Sequence, residues 1–388
     1  MKLEAKGRPH RLVAVLTATV LAVAACSSSA VSSPVSTGAA TSAVAPPSAP
    51  ASAAPASAAA SAGAQAAASA PSSCCTTNGP CSAVYVMSDH LGDKGPNDSL
   101  WSGMQRASSQ LGVTVKALQA DPNNPSLWLQ NMQAVSDGSW NVVVTAFGQQ
   151  LDNLKQTATQ HPNIHYIYLD QALNLLNVWS VLFAQNEGSY LAGVLAGLVT
   201  TDTKDFPLSK GAKNVGLLGG QDLPVIEDFI VGFKQGVLSV DPSIKIQVAF
   251  AGSFADPNAG YTLAKTMYQK GADIVFAVAG GTGLGVLKAS ADMNRYSIGV
   301  DQDQNGLYPG HVLASMVKRF DNAVFTMIKA AKDCQGQWGT TLHYGLQDQG
   351  VALIIDQKDV PQSVQAKIAA ADQQIASGAI KVNVVPGF

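Results

Sequence analysis

From Ser82 onward the chain repeats one unit: a short apolar β-rich run, a polar loop, a helical stretch, then another apolar run. This alternation constrains the fold more than any other feature. Apolar strands separated by helices form parallel sheets that are covered on both faces. The first series reads Ser82–Met87, a helix over Ser99–Leu111 with Leu100, Met104, Ala107 and Leu111 on one face, and Val113–Ala117. It continues with a helix over Ser126–Ser136, a strand at Val142–Ala146, a helix over Gln149–His161 and a strand at Ile164–Leu169. A short strand at Trp179–Phe183 leads to a helix over Glu187–Thr200.

The pattern then restarts. Strands are expected at Asn214–Leu218, Ile244–Ala249, Asp273–Val278 and Tyr296–Val300, with helices over Pro224–Val240, Asn258–Lys270 and Leu284–Asp292. Two series imply two doubly wound α/β lobes. Ligands of such folds sit beyond the carboxyl ends of the strands.

The residues at those ends are polar. Asp89 and the loop Gly92-Asp93-Lys94-Gly95-Pro96-Asn97-Asp98 follow the first strand, Gly148 and Gln149 the third, and Asp170 and Gln171 the fourth. In the second series they are Gly219-Gly220-Gln221-Asp222, Gly252-Ser253-Phe254, Gly280-Gly281-Thr282-Gly283 and Asp301-Gln302-Asp303-Gln304. Any one of these could be a helix cap or a turn residue. Together they describe a polar cleft whose carboxylates and amides suit ligand hydroxyls.

Catalytic signatures are missing. Gly281-Thr282-Gly283-Leu284-Gly285 followed by Asp301 mimics a dinucleotide fingerprint, but Val286 stands where a small residue is required. The run reads instead as a tight strand-to-helix turn that lets backbone approach a ligand. No phosphate-loop lysine, nucleophile elbow or paired metal-spaced histidines occur, so no enzyme, cofactor or metal site is expected.

The amino-terminal portion specifies location. Lys2, Lys6, Arg8 and Arg11 precede an uncharged apolar run, Leu12–Ala25, too short for a comfortable membrane span. It ends in Val23-Ala24-Ala25-Cys26, which resembles a bacterial lipobox, so 1–25 is expected to be a lipoprotein signal peptide and Cys26 the lipidated residue. From Ser27 to about Ser73 the chain is nearly all Ala, Ser and Pro, without charge or aromatic rings, and cannot bury a core. Residues 26–80 therefore read as an anchored tether, whose alanines inflate the 47% hydrophobic content. With Cys26 acylated, Cys74, Cys75, Cys81 and Cys334 remain for disulfides, and spacing does not choose their pairing. A net charge of −2 implies no nucleic-acid partner.

Several stretches resemble the BMP (basic membrane protein) family, the Med-like lipoproteins of ABC importers. They include Gly92-Asp93-Lys94-Gly95 with Asn97-Asp98-Ser99 and Trp101, Gln185 to Gly193, and Gly219-Gly220 with Leu223 to Phe229 and Gly232-Phe233. Gly252-Ser253-Phe254 with Asp256-Pro257, Ala279 to Val286, Gly299 to Gln304, and Ser315 to Arg319 extend the likeness to about Asp356.

The resemblance implies a type I periplasmic-binding-protein fold with three hinge crossings, near Phe183, near Ser315 and after the helix Asp321–Cys334. The lobes would then comprise 81–184 with 317–338, and 185–316 with 339–388. It implies a monomeric receptor, held to the membrane by its lipid, that hands a purine nucleoside to a permease. In that class Asp89 and Asn97 would meet the base or ribose and Asp170 the base, Phe276 would stack on the base beside the Gly280 backbone, and Asp301 and Lys318 would meet the ribose. Where the family has phenylalanine in its first loop, this chain has Pro96. An aromatic face against a base is worth roughly 1–3 kcal/mol, so weaker purine binding, another base, or another ring such as Trp101 remain open. A ligand sensor of the same fold and a secreted nucleoside or glycan hydrolase are the competing readings.

Overall fold

The structure, a computed structural model, describes residues 81–388, so the signal segment, Cys26 and the tether lie outside the described residues. Six strands form the first sheet: β1 (Ser82–Val86), β2 (Thr114–Leu118), β3 (Val142–Ala146), β4 (His165–Leu169), β5 (Val178–Phe183) and β11 (Thr341–Tyr344). Their order is β11-β5-β4-β3-β1-β2, and every pairing is parallel. The second sheet contains β6 (Asn214–Gly219), β7 (Lys245–Phe250), β8 (Ile274–Val278), β9 (Tyr296–Asp301), β10 (Val312–Lys318) and β12 (Val351–Ile355). Its order is β12-β10-β9-β8-β6-β7, parallel except where β12 runs against β10. The residues of β3, β4, β5, β8 and β9 are buried throughout. Continuous apolar runs are what strands covered on both faces require.

The helices are α1 (Pro96–Leu111), α2 (Pro125–Ala134), α3 (Leu151–Gln160), α4 (Gln185–Thr201), α5 (Pro224–Val240), α6 (Pro257–Gln269), α7 (Gly283–Asp292), α8 (Phe320–Lys332) and α9 (Gln362–Ala376). Four of them, α1, α2, α5 and α6, open with proline in their first turn. Proline's missing N–H costs nothing there.

The chain crosses between the sheets three times: from Phe183 to Gln185, from Lys318 to Phe320, and between Tyr344 and Val351. Two crossings differ from expectation. The second falls after Lys318 rather than near Ser315, because β10 stays paired with β9 and β12 to its end. The third follows β11 instead of the helix before it, so Thr341–Tyr344 belongs to the first lobe and not to a second-lobe segment beginning at 339. Trp338 explains the shift: it stacks on His165 (4.0 Å) and meets Trp179 edge-on (5.8 Å), pinning the approach to β11 onto the first sheet. Cys81 and Cys334 are both disulfide-bonded.

Helices α4 and α5 pack backbone to backbone. A Cβ on Gly232 would lie 2.1 Å from the Asn186 carbonyl oxygen, and one on Gly236 only 2.0 Å from that of Tyr190. In an exposed helix, glycine to alanine stabilises by about 1 kcal/mol. Here overpacking reverses the sign, and Gly232→Ala is expected to destabilise by about 1–3 kcal/mol. Urea unfolding measures this; a midpoint at or above wild type would contradict the close packing.

Candidate functional site

Both sheets present their carboxyl ends to one cleft of about 260 Å³, lined by residues that follow β1, β3, β4, β6, β7 and β8 and by the last residues of β9 and β10. In each sheet the order reverses beside the first strand of its series, between β1 and β3 and between β6 and β8. These switch points are where doubly wound sheets open a crevice. Six of the seven expected ligand residues line it: Asp89, Asn97, Asp170, Gly280, Asp301 and Lys318.

Phe276 does not. It is fully buried in β8, with Phe233 and Phe229 rings 5.6 and 6.2 Å away, so it is core and its expected stacking role is withdrawn. The second-lobe rings at the cleft are Phe229, which α5 carries, and Phe254. Glycine geometry makes its place: a Cβ on Gly220 would lie 2.3 Å from the Phe254 ring. Gly280 adopts φ +52° beside it, and Thr282 N–H donates to the Phe254 carbonyl (2.9 Å). The glycine run thus supports this loop and the α6–α7 packing, where a Cβ on Gly285 would fall 1.8 Å from the Pro257 carbonyl oxygen. Trp101 lines a neighbouring groove, not the cleft.

The first loop is organised by Asp93, a residue sequence reasoning left unassigned. Its carboxylate accepts N–H bonds from Gly95 (2.9 Å), Asn97 (3.1 Å) and Asp98 (3.2 Å), and another from Asn97 Nδ2 (2.9 Å). It therefore caps α1, while burial still raises its pKa. The Tyr85 hydroxyl donates to Asn97 Oδ1 (2.7 Å), which fixes the amide and leaves it one free donor and one free lone pair. Asp89 sits at the rim, 2.6 Å from Nδ1 of exposed His90.

The floor of the cleft is charged. Lys318, 1% exposed, pairs with Asp170 from the opposite lobe. Its ammonium lies 5.2–5.4 Å from the rings of Phe320, Phe183 and Phe229, which supply cation–π attraction in place of water. Burial raises the Asp170 pKa, against the pull of Lys318. Asp301 differs: among the described residues nothing donates a hydrogen bond to its carboxylate. Burial first, with Asp170 and Asp93 adding repulsion against the Lys318 attraction, pushes its pKa up to about 7.

Several backbones at these strand ends are strained. Asp170 and Asp301 have φ near +68° and +67°. Phe147, which also lines the cleft, adopts φ 71°, ψ 151°, a region populated almost only by glycine. Each such residue costs of order 1–3 kcal/mol, and such residues cluster at ligand sites. The lobes also touch: Gln302 and Gln304 donate from the second lobe to the carbonyls of Gly95 (2.9 Å) and Lys94 (2.6 Å).

A family model described as ABC transporter substrate-binding protein PnrA-like (Bmp) matches residues 81–385. The ABC transporter nucleoside-binding protein BmpA of Lactococcus lactis is 28% identical over 321 residues, 78% of this chain and 88% of its own length. A CD4+ T-cell-stimulating antigen of Listeria monocytogenes is 30% identical over 326 residues, 77% of this chain and 87% of its own. The solved structure of an ABC transporter system solute-binding protein from Aeropyrum pernix K1 superimposes with a TM-score of 0.70 at 25% identity, covering 80% of this chain and 94% of that one. The family description and the Aeropyrum structure both name ABC transporter proteins that bind a solute. Such proteins work outside the cytoplasm, with a small molecule in the cleft and a permease as partner. The chain belongs to the PnrA-like (Bmp) family of ABC transporter substrate-binding proteins.

Proposed function

We propose that this protein is a lipid-anchored receptor that binds a purine nucleoside outside the cell and delivers it to an ABC importer. Asp301 carries the reading. Its carboxylate opens on the cleft with its acceptors free for a ligand, and the vicinal hydroxyls of a ribose supply two donors. Lys318, beside it, meets the same sugar. Asn97, Asp89 and Asp170 offer the acceptors and donors that a base edge needs. Phe254, with Leu223, Val225 and Ile226 at the start of α5, forms the apolar wall. The nucleoside-binding name of the Lactococcus relative supports the ligand class. Cys26 and the tether, by sequence, support anchoring.

A thermal-shift screen tests the ligand. Adenosine, guanosine or inosine at about 100 times Kd is expected to add roughly 2.7 kcal/mol of stability, seen as a higher melting temperature. Stabilisation by free sugars only, or by no nucleoside, would sink the proposal.

A further inference from the structure

We infer that Phe147 is the first-lobe ring that grips the planar part of the ligand, in a cleft where Pro96 offers no aromatic face. The inference rests on the nucleoside reading. Phe147 and Pro96 line the same cleft, Pro96 at the start of α1 and Phe147 directly after β3. Phe254 and Phe229 are the rings on the opposite lobe.

The backbone of Phe147 gives the strongest signal. Its φ 71°, ψ 151° is glycine territory, yet the chain carries a large ring there. Glycine at 147 would adopt this conformation without strain. The conformation is held by three bonds: Phe147 N–H to the Leu169 carbonyl (2.9 Å), and Gln150 N–H (3.0 Å) and the Tyr168 hydroxyl (2.9 Å) to the Phe147 carbonyl. The ring is braced edge-on by Phe320 (5.9 Å, 74°), which also flanks the Lys318 ammonium. Strain maintained by this much surrounding structure, at a cleft-lining position, indicates that the side chain is needed where the backbone puts it.

Calorimetric titration of the full chain with guanosine, inosine and adenosine tests this, alongside Phe147→Ala, Phe147→Leu, Phe147→Tyr and Phe147→Gly. Stacking a base on a ring corresponds to about 5- to 100-fold in affinity. The Ala, Leu and Gly variants are expected to lose that much, and Tyr to stay within about threefold of wild type because it keeps the ring. Leu separates packing from stacking; affinity equal to wild type in Phe147→Leu overturns the inference. Without ligand, Phe147→Gly is expected to melt above Phe147→Ala, the reverse of the usual order, because alanine retains the strained Cβ. Alanine melting higher overturns the strain argument. If wild type binds no nucleoside, the function reading fails; if wild type binds and the variants bind equally, only the role of Phe147 fails.

Discussion

Lys318→Met is expected to destabilise the unliganded protein by about 3–5 kcal/mol, the usual cost of removing one partner from a buried ion pair. Methionine preserves much of the side-chain volume and keeps contact with Phe183, Phe229 and Phe320, so lost packing contributes little. What remains is Asp170, 7% exposed, with no cation to face, and Asp301 beside it. The penalty should be smaller at pH 5 than at pH 8, because burial has already raised the Asp170 pKa and a proton can replace the ammonium. Adding Asp170→Asn should restore much of the stability, since removing both charges removes the unpaired one. Denaturant unfolding of the two single variants and the double variant measures the coupling. A cost below about 1 kcal/mol for Lys318→Met would mean the pair is solvated, contrary to its burial.

Asp301→Asn is expected to weaken nucleoside binding roughly 10- to 100-fold, since a hydrogen bond to a charged group contributes about 1.5–3 kcal/mol. The same change should alter how stability depends on pH. The folded pKa of Asp301 is raised to about 7, against about 3.9 for an unfolded chain. Between those values the folded state binds more protons than the unfolded one, so stability falls as pH rises. The contribution of Asp301 is fully present below about pH 4 and is lost as pH rises through 7. Asp93 and Asp170 also have raised values and act in the same direction, but they are common to both proteins. Wild type minus Asp301→Asn should therefore decline from pH 5 to pH 8. Parallel profiles would place Asp301 in water.

The fold was legible because its signal is periodic. Helix α5 runs from Pro224 to Val240, the range read from sequence, and β3 likewise matches at Val142–Ala146. The carboxy-terminal elements β10, β11, β12 and α9 do not emerge from the sequence pattern. Strand β11 is four residues of mixed polarity, Thr-Leu-His-Tyr, and its place in the first sheet depends on Trp338 reaching His165 and Trp179. No local pattern reports a contact that distant.

The polar lining of the cleft was equally legible, since the topology fixes that carboxyl ends converge. Its aromatic half was not. Phe276 in Ile-Val-Phe-Ala-Val and Phe254 in Gly-Ser-Phe are both rings near strand ends. Only the pleat of β8, which turns Phe276 toward Phe233, and the glycines beneath Phe254 separate core from cleft. Phe147 carries no sequence signal, because its distinguishing feature is a backbone angle. The double role of Asp93 as helix cap and cleft wall depends on four hydrogen bonds that its loop sequence does not specify.

Isothermal titration of a purine nucleoside into the wild-type protein tests the central claim most directly. The expected result is one site per chain with a negative heat-capacity change, as apolar walls and ligand leave water together. Absence of binding by adenosine, guanosine and inosine, with a free sugar saturating the same cleft, would contradict it.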